Sequence, residues 1–109
     1  GDGEQTRDFV YVGDCAHANY LAVTVPHPSG IYNIGWGRPT SVNEIFTALA
    51  KITGYAHPAQ RGPAKVGETR HIYLDASKAG KVLGWTPTLT LEEGLEKVVA
   101  SLRDSQPVQ

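Results

Sequence analysis

Arg7 and Asp8 form a charged pair that closely follows the glycines Gly1 and Gly3. The guanidinium group of arginine is planar and permanently charged, and its donors match two oxygens of a phosphate at once. A neighbouring carboxylate such as that of Asp8 can hold the arginine side chain in place. Arg7 is therefore a candidate phosphate ligand, although an ordinary surface ion pair explains the same residues and is the commoner case.

A second group of charged residues lies in the segment RGPAKVGE, residues 61–68. Its cations, Arg61 and Lys65, suit a pyrophosphate, and the carboxylate of Glu68 suits the two hydroxyl groups of a ribose. Glycine and proline interrupt every periodic pattern between residues 55 and 67, which predicts a long irregular loop or a short edge strand. The alternative is a solvated loop without a ligand, which composition alone favours.

Other chemistries lack the residues that they need. A Gly-x-Gly stands at residues 35–37, but Thr40 replaces the third glycine of a dinucleotide-binding fingerprint, so a capped helix start explains it better. The histidines lack zinc-site spacing, and Cys15 and His17 point to different faces of a helix. No tyrosine has a lysine four residues later, so the Tyr-x-x-x-Lys pair for proton transfer is absent. The sequence predicts no catalytic, cofactor-binding or metal-binding residue in this chain.

Hydrophobic periodicity and end signals predict short strands alternating with helices, which is typical of an α/β fold. Ser41 with Glu44, and Thr90 with Glu93, have the spacing of capping boxes. The predicted strands cover residues 7–12, 31–34 and 71–74. The predicted helices begin at Asp14, Ser41, Asp75 and Thr90 and end near Pro26, Gly54, Gly84 and residue 102.

The composition fits one small globular domain, with 109 residues of which 40% are hydrophobic and 19% charged. The net charge of -1 provides no basic field for nucleic acid and no polybasic stretch for a membrane surface. No apolar run could span a membrane and no secretory signal is present, so the expected location is the cytoplasm. The chain contains no methionine, even at position 1, which predicts a segment excised from a longer protein.

Several segments together resemble one family. They are GDGEQTRDFVYVGD at residues 1–14, YNIG at 32–35 with SV at 41–42, LDASKA at 74–79 and LGW at 83–85. In order and spacing they resemble the C-terminal, substrate-side part of the extended short-chain dehydrogenases, in the NAD-dependent epimerase/dehydratase family, and especially UDP-glucose 4-epimerase-like proteins. Each short match is weak alone, but the ordered set covers residues 1 to 103.

The resemblance implies a partial α/β fragment, the C-terminal substrate-binding portion of a Rossmann-type two-domain enzyme. It assigns the substrate diphosphate to Arg7 and Lys65 and the ribose to Glu68, and it adds Gln5 from the same segment as Arg7. The family usually has arginine at the position of Lys65, which supplies only a point charge. The expected substrate-binding portion covers residues 1–104, and residues 105–109 form a frayed tail.

The resemblance also implies partners. The NAD and the catalytic residues belong to a missing N-terminal Rossmann domain, against which the helix after Asp14 and the segment near Ile31 pack. The ligand is a nucleotide-diphosphate sugar, and self-association through faces left uncovered is expected. The parent reaction is expected to be an epimerisation without catalysis by this chain alone. The alternatives are a dehydratase or reductase of the same family, a standalone nucleotide-binding module, and an inactive truncation.

Overall fold

The computed structural model describes residues 1–105, which form four helices and one very small sheet. Residues 106–109 of the predicted frayed tail lie outside the described part. The elements are β1 (Thr6–Arg7), α1 (Val12–Thr24), β2 (Thr40–Ser41), α2 (Val42–Thr53), α3 (Ser77–Leu83) and α4 (Leu91–Asp104). Strands and helices alternate along the first half of the chain, and a long segment without a helix, residues 54–76, separates α2 from α3 and α4.

The backbone around Thr6 joins three segments that are distant in sequence. β1 pairs with β2 in antiparallel orientation, with Thr6 opposite Ser41. On its other side, the N–H of Thr6 donates to the carbonyl of Arg70 at 2.8 Å, and the N–H of Ile72 donates to the carbonyl of Thr6 at 3.1 Å. The loop that ends near Arg70 is thereby fixed beside β1.

The three predicted strands are the main errors of the sequence-based assignment. Of the predicted strand 7–12 only Arg7 belongs to a strand, β1, because Asp8 departs from the ladder and α1 begins at Val12. Residues 31–34 form no strand in the described part of the chain, where no neighbouring segment pairs with them. The segment at 71–74 contributes only a single parallel bridge, between His71 and Thr6.

The helix ends follow local sequence signals more faithfully. Both capping boxes are confirmed: the hydroxyl of Ser41 accepts from the N–H of Glu44 at 3.1 Å, and the hydroxyl of Thr90 accepts from the N–H of Glu93 at 3.2 Å. Gly54 ends α2 with a φ of 74°, in the left-handed region where glycine has no Cβ penalty. These signals involve residues close in sequence, so tertiary contacts do not override them.

The two predicted aspartate caps are corrected. Asp14 is not the N-cap of α1, because the helix starts two residues earlier and Tyr11 occupies the cap position. Asp75 precedes the N-cap of α3, which is Ala76, although its carboxylate still accepts from the N–H of Ser77 at 2.9 Å.

Asp14 instead joins the start of α1 to the segment before α4. Its buried carboxylate accepts from the hydroxyl of Thr88 at 2.6 Å and from the N–H groups of Thr88 and Leu89 at 3.0 and 3.2 Å. Its carbonyl accepts from the indole N–H of Trp85 at 2.8 Å, next to the buried core of Ala18, Ala79, Leu83 and Trp85. Burial raises the pKa of Asp14, but the hydrogen bonds from Thr88 and Leu89 and the charge of His17 outweigh it, so the net pKa is lowered.

The apolar core of the described residues is small: one cluster of four buried residues, with Val99 buried apart from it. The chain measures 49 × 40 × 19 Å, with a radius of gyration of 16.7 Å, whereas about 13 Å is typical of a compact domain of this length. Val23 on α1 is 86% exposed and Ile31 is 87% exposed. Within residues 1–105, no helix is long and apolar enough to cross a membrane, and no three His, Cys, Asp or Glu residues form a potential metal site.

His27 caps the C-terminal end of α1. Proline at position 26 has no N–H to donate to the carbonyl of Ala22, and Nε2 of His27 lies 2.8 Å from that carbonyl oxygen. Nδ1 of the same ring lies 2.9 Å from the carbonyl oxygen of Pro28. Because both neighbours are acceptors, only the protonated imidazole can donate to both. The carbonyls of Ala22 and Pro28 accordingly raise the pKa of His27.

We expect Asp14→Ala to lower the free energy of unfolding by about 2–3 kcal/mol, because three donors lose a buried acceptor. Asp14→Asn should cost less, since one oxygen remains and the hydroxyl of Thr88 can rotate. Urea unfolding at pH 7 measures both. Since the folded-state pKa is lowered, this contribution is present above about pH 4 and is lost as pH falls through the folded-state value. Equal stability of Asp14→Ala and the unsubstituted chain would contradict this role.

We expect the stability difference between the unsubstituted chain and His27→Ala to be larger at pH 5.5 than at pH 8.5. The folded-state pKa is raised, so the stabilisation is complete below the unfolded-state value of about 6.5 and disappears as pH rises through the folded-state value. Thermal unfolding at both pH values measures the difference, and all other ionisable groups cancel in the comparison. A difference independent of pH would show that the protonated ring does not cap α1.

Candidate functional site

Arg7 is held against the backbone at the end of β1. Its Nη1 donates to the carbonyl of Thr6 at 2.6 Å and lies 3.4 Å from the carbonyl of Arg70. Its Nη2 donates to Oε1 of Glu68 at 3.2 Å, and the two side chains are 28% and 37% exposed. The structure therefore brings together two predicted substrate ligands that are 61 residues apart in sequence.

Asp8 does not hold Arg7, contrary to the interpretation from their adjacency. Its carboxylate accepts three backbone N–H groups, those of Trp36 at 2.7 Å, Gly37 at 3.0 Å and Leu74 at 3.1 Å. These bonds join the predicted glycine turn at residues 35–37 to the segment before α3. The N–H groups of Trp36 and Gly37 in this turn are therefore bonded to Asp8 and are not free to donate to a phosphate.

A cleft of about 380 Å³ lies beside the first residues of the chain. Three predicted ligands, Gln5, Lys65 and Glu68, line it. Arg7 does not line it but contacts two residues that do, through the carboxylate of Glu68 and the carbonyl of Arg70. The remaining lining residues are Gly1, Asp2, Ala64, Thr69 and Arg70. The cleft thus combines two cations with two carboxylates and is open to solvent.

Arg70 also lines the cleft, although the sequence did not predict it. It forms an ion pair with Asp2 across the cleft, with Nη2 of Arg70 2.9 Å from Oδ2 of Asp2. The hydrogen bond from Arg70 lowers the pKa of Asp2 to about 2, and the same carboxylate raises the pKa of Arg70. No periodic pattern marks Arg70, because its position depends on the pairing of its backbone with Thr6.

Arg61, the alternative to Lys65 as a pyrophosphate ligand, is engaged elsewhere. Its Nη1 donates to the carbonyl of Asp2 and to Oδ1 of Asn43, both at 2.6 Å. The N–H of Asn43 donates in turn to the carbonyl of Gly3 at 2.9 Å. Arg61 and Asn43 therefore hold the turn at residues 1–4, which forms one wall of the cleft.

Gly3 is buried in this turn with a φ of 77°, a left-handed conformation that other residues rarely adopt. A Cβ at this position would collide with the side chains of Asn43 and Arg61. Glycine is thus required here both by the backbone conformation and by the space available.

The family comparison agrees with this architecture. The protein-family model described as GDP-mannose 4,6 dehydratase matches residues 1–98. The chain belongs to this family. Its fold is the C-terminal portion of the Rossmann-type epimerases, as the resemblance implied.

Several proteins that are similar to this chain are UDP-sugar epimerases. The UDP-glucose 4-epimerase of Mycolicibacterium smegmatis is 36% identical over 104 residues, which are 95% of this chain and 33% of the relative. The crystal structure of UDP-glucose 4-epimerase with UDP-glucose from Thermotoga maritima superposes with a TM-score of 0.91 at 44% identity, over 96% of this chain and 34% of that one. The Bifidobacterium longum enzyme in complex with NAD⁺ and UDP gives a TM-score of 0.86 at 31% identity, over 95% and 32% of the two chains.

The chain spans about a third of the length of these relatives. The prediction that the longer relatives carry NAD is confirmed by the complex of the Bifidobacterium longum enzyme. The substrate roles of Arg7, Lys65, Glu68 and Gln5 remain predictions.

We expect Gly3→Ala to destabilise the chain by about 2–4 kcal/mol, from left-handed strain of about 1–2 kcal/mol and from crowding against Asn43 and Arg61. Gly54→Ala is the matched control, because Gly54 has a φ of 74° and open space around its Cα, so it isolates the strain alone. Urea unfolding of both variants measures the difference. Equal destabilisation would show that the turn adapts and does not require glycine for space.

Proposed function

We propose that this chain is the nucleotide-sugar-binding part of an NAD-dependent nucleotide-sugar epimerase of the UDP-glucose 4-epimerase type. The observation that supports it is the cleft, where Gln5, Lys65 and Glu68 converge from separate segments and Arg7 is bonded to Glu68. Relatives that superpose over nearly the whole chain contain UDP-glucose or UDP.

In this proposal the residues bind and orient the substrate and transfer no proton. Arg7 and Lys65 neutralise the diphosphate, and the carboxylate of Glu68 accepts from the ribose hydroxyls. Gln5 offers a neutral amide at the wall of the cleft. The binding energy holds the sugar in position for groups on the remainder of the protein. NAD supplies the hydride chemistry there, and residues 1–104 form the substrate-binding portion.

We also propose that the N-terminal Rossmann portion covers α1. Apolar side chains occupy opposite faces of this helix: Ala18 lies in the core, whereas Tyr20 and Val23 are exposed. A helix that is apolar all round is ordinarily buried on all sides. Ile31, in the segment after α1, is exposed as well. Without that cover these exposed apolar side chains would favour self-association of the chain. Separately, we expect the complete protein to be cytoplasmic.

A dehydratase of the same family is the second candidate. The family model that matches the chain carries the description of a GDP-mannose dehydratase, and its ligand would be a guanine nucleotide. The scaffold is common to both reactions, so the identity of the nucleotide distinguishes them better than the fold does.

Titration of the chain with UDP, UDP-glucose, GDP-mannose and dTDP-glucose by calorimetry or NMR tests the proposal. We expect saturable binding of the uridine nucleotides, weakened about tenfold or more in Arg7→Ala, because a hydrogen bond between charged groups is lost. Lys65→Ala should weaken binding as well, and more salt should weaken it further.

Arg103→Ala is the matched control, since it removes an exposed arginine of α4 that does not line the cleft. Binding that is equally weakened by Arg7→Ala and Arg103→Ala would indicate a general charge effect and contradict the site. Preferred binding of GDP-mannose would favour the dehydratase. No binding by a folded chain would overturn the proposal that these residues suffice for recognition.

A further inference from the structure

The position of Glu68 separates Arg7 from the cleft. Glu68 lines the cleft, whereas Arg7 does not, and Nη2 of Arg7 reaches the cleft only through Oε1 of Glu68 at 3.2 Å. Nη1 is already engaged by the carbonyl of Thr6, so Nη2 is the terminal nitrogen nearer the cleft, and Glu68 covers it. For Nη2 to contact a diphosphate from the side of the cleft, the carboxylate of Glu68 has to move aside.

Of the two partners, Glu68 has the greater freedom to move. Nη1 of Arg7 is anchored by the carbonyl of Thr6 at 2.6 Å, at the end of β1. Glu68 lies in a stretch without helix or strand and follows Gly67, which has a φ of 80° and open space around it. Its side chain is the more exposed of the two, at 37%. An exchange would therefore leave the guanidinium in place and move the carboxylate.

We propose that the Arg7–Glu68 ion pair is a ligand-exchanged latch: a diphosphate displaces the carboxylate of Glu68 from Arg7, and the released carboxylate then accepts from the ribose. This inference rests on the proposed function and adds an order of events to it. A diphosphate offers more negative charge and more acceptor oxygens than one carboxylate. The partly exposed Arg7–Glu68 pair contributes little stability, so breaking it costs little free energy.

The latch makes recognition of the ribose depend on recognition of the diphosphate. A nucleoside without phosphates leaves Glu68 bonded to Arg7 and finds its acceptor occupied. Inorganic pyrophosphate, in contrast, must break the pair without any compensation from a ribose. The pair therefore opposes pyrophosphate alone more than it opposes a complete nucleoside diphosphate.

Glu68→Gln tests the exchange, because glutamine keeps the size of the side chain and removes its charge. We expect the variant to bind inorganic pyrophosphate about 1.5- to 5-fold more tightly than the unsubstituted chain, which is the range for a partly exposed ion pair. The affinity for UDP relative to pyrophosphate should fall about two- to tenfold, because a charged acceptor of the ribose is lost.

Glu4→Gln is the matched control for charge, since Glu4 lies in the turn beside the cleft but is not bonded to Arg7. The gain in pyrophosphate affinity should be absent in Glu4→Gln and should disappear when Glu68→Gln is combined with Arg7→Ala. An equal gain in Glu4→Gln, or a gain that persists without Arg7, would overturn the latch in favour of general electrostatics.

Weaker or unchanged binding of pyrophosphate by Glu68→Gln would also overturn the latch, because Glu68 would then only position Arg7. UDP binding by the unsubstituted chain separates the two hypotheses. If UDP binds but these shifts are missing, the latch fails and the proposed function stands. If neither UDP nor pyrophosphate binds to a folded chain or to Glu68→Gln, both fail.

Discussion

The hydrogen bonds of Thr6 with the backbone of residues 70–72 are the constraint on which the rest of the cleft depends. They place the carbonyl of Arg70 next to Arg7 and bring Glu68, two residues earlier, within reach of the guanidinium. The antiparallel pairing with β2 on the other side places Asn43 near the turn at residues 1–4. A strand of two residues thus brings three separate segments together around the cleft, and two of them contain the predicted ligands.

Two of the predicted strands do not form within residues 1–105, and two aspartate carboxylates accept backbone N–H groups that a longer sheet would have paired. Asp8 accepts three backbone N–H groups and Asp14 accepts two, together with a hydroxyl group. In a long sheet such N–H groups would bond to a neighbouring strand. Here they belong to irregular segments at residues 36–37, 74 and 88–89. These hydrogen bonds therefore connect irregular segments in a structure that buries few apolar residues.

The helix ends that depend on residues close in sequence were predicted correctly. Capping boxes and glycine stops need residues only three or four apart, so the helices at Ser41 and Thr90 begin as expected. A strand also needs a second segment to pair with, which a local pattern cannot identify. Residues 31–34 have no such segment among the described residues. Asp8 was assigned to Arg7 because they are adjacent, yet successive side chains of an extended backbone point to opposite sides. The grouping of Gln5, Lys65 and Glu68 came from the family resemblance, and Arg70 was missed because only tertiary pairing places it.

Several charged residues around the cleft have bonding partners within this chain, whereas some apolar residues of α1 are left exposed. The charged contacts around Arg7, Asp2 and Arg61 find their partners within the chain itself. The apolar faces of α1 do not, since Tyr20 and Val23 remain exposed. The bonds that form the cleft lie within residues 1–72, whereas Tyr20 and Val23 of α1 lack an apolar cover among the described residues. We infer that a covering domain would raise the stability of the chain more than it would rearrange the cleft, because it would add buried area at α1 without replacing any of these hydrogen bonds.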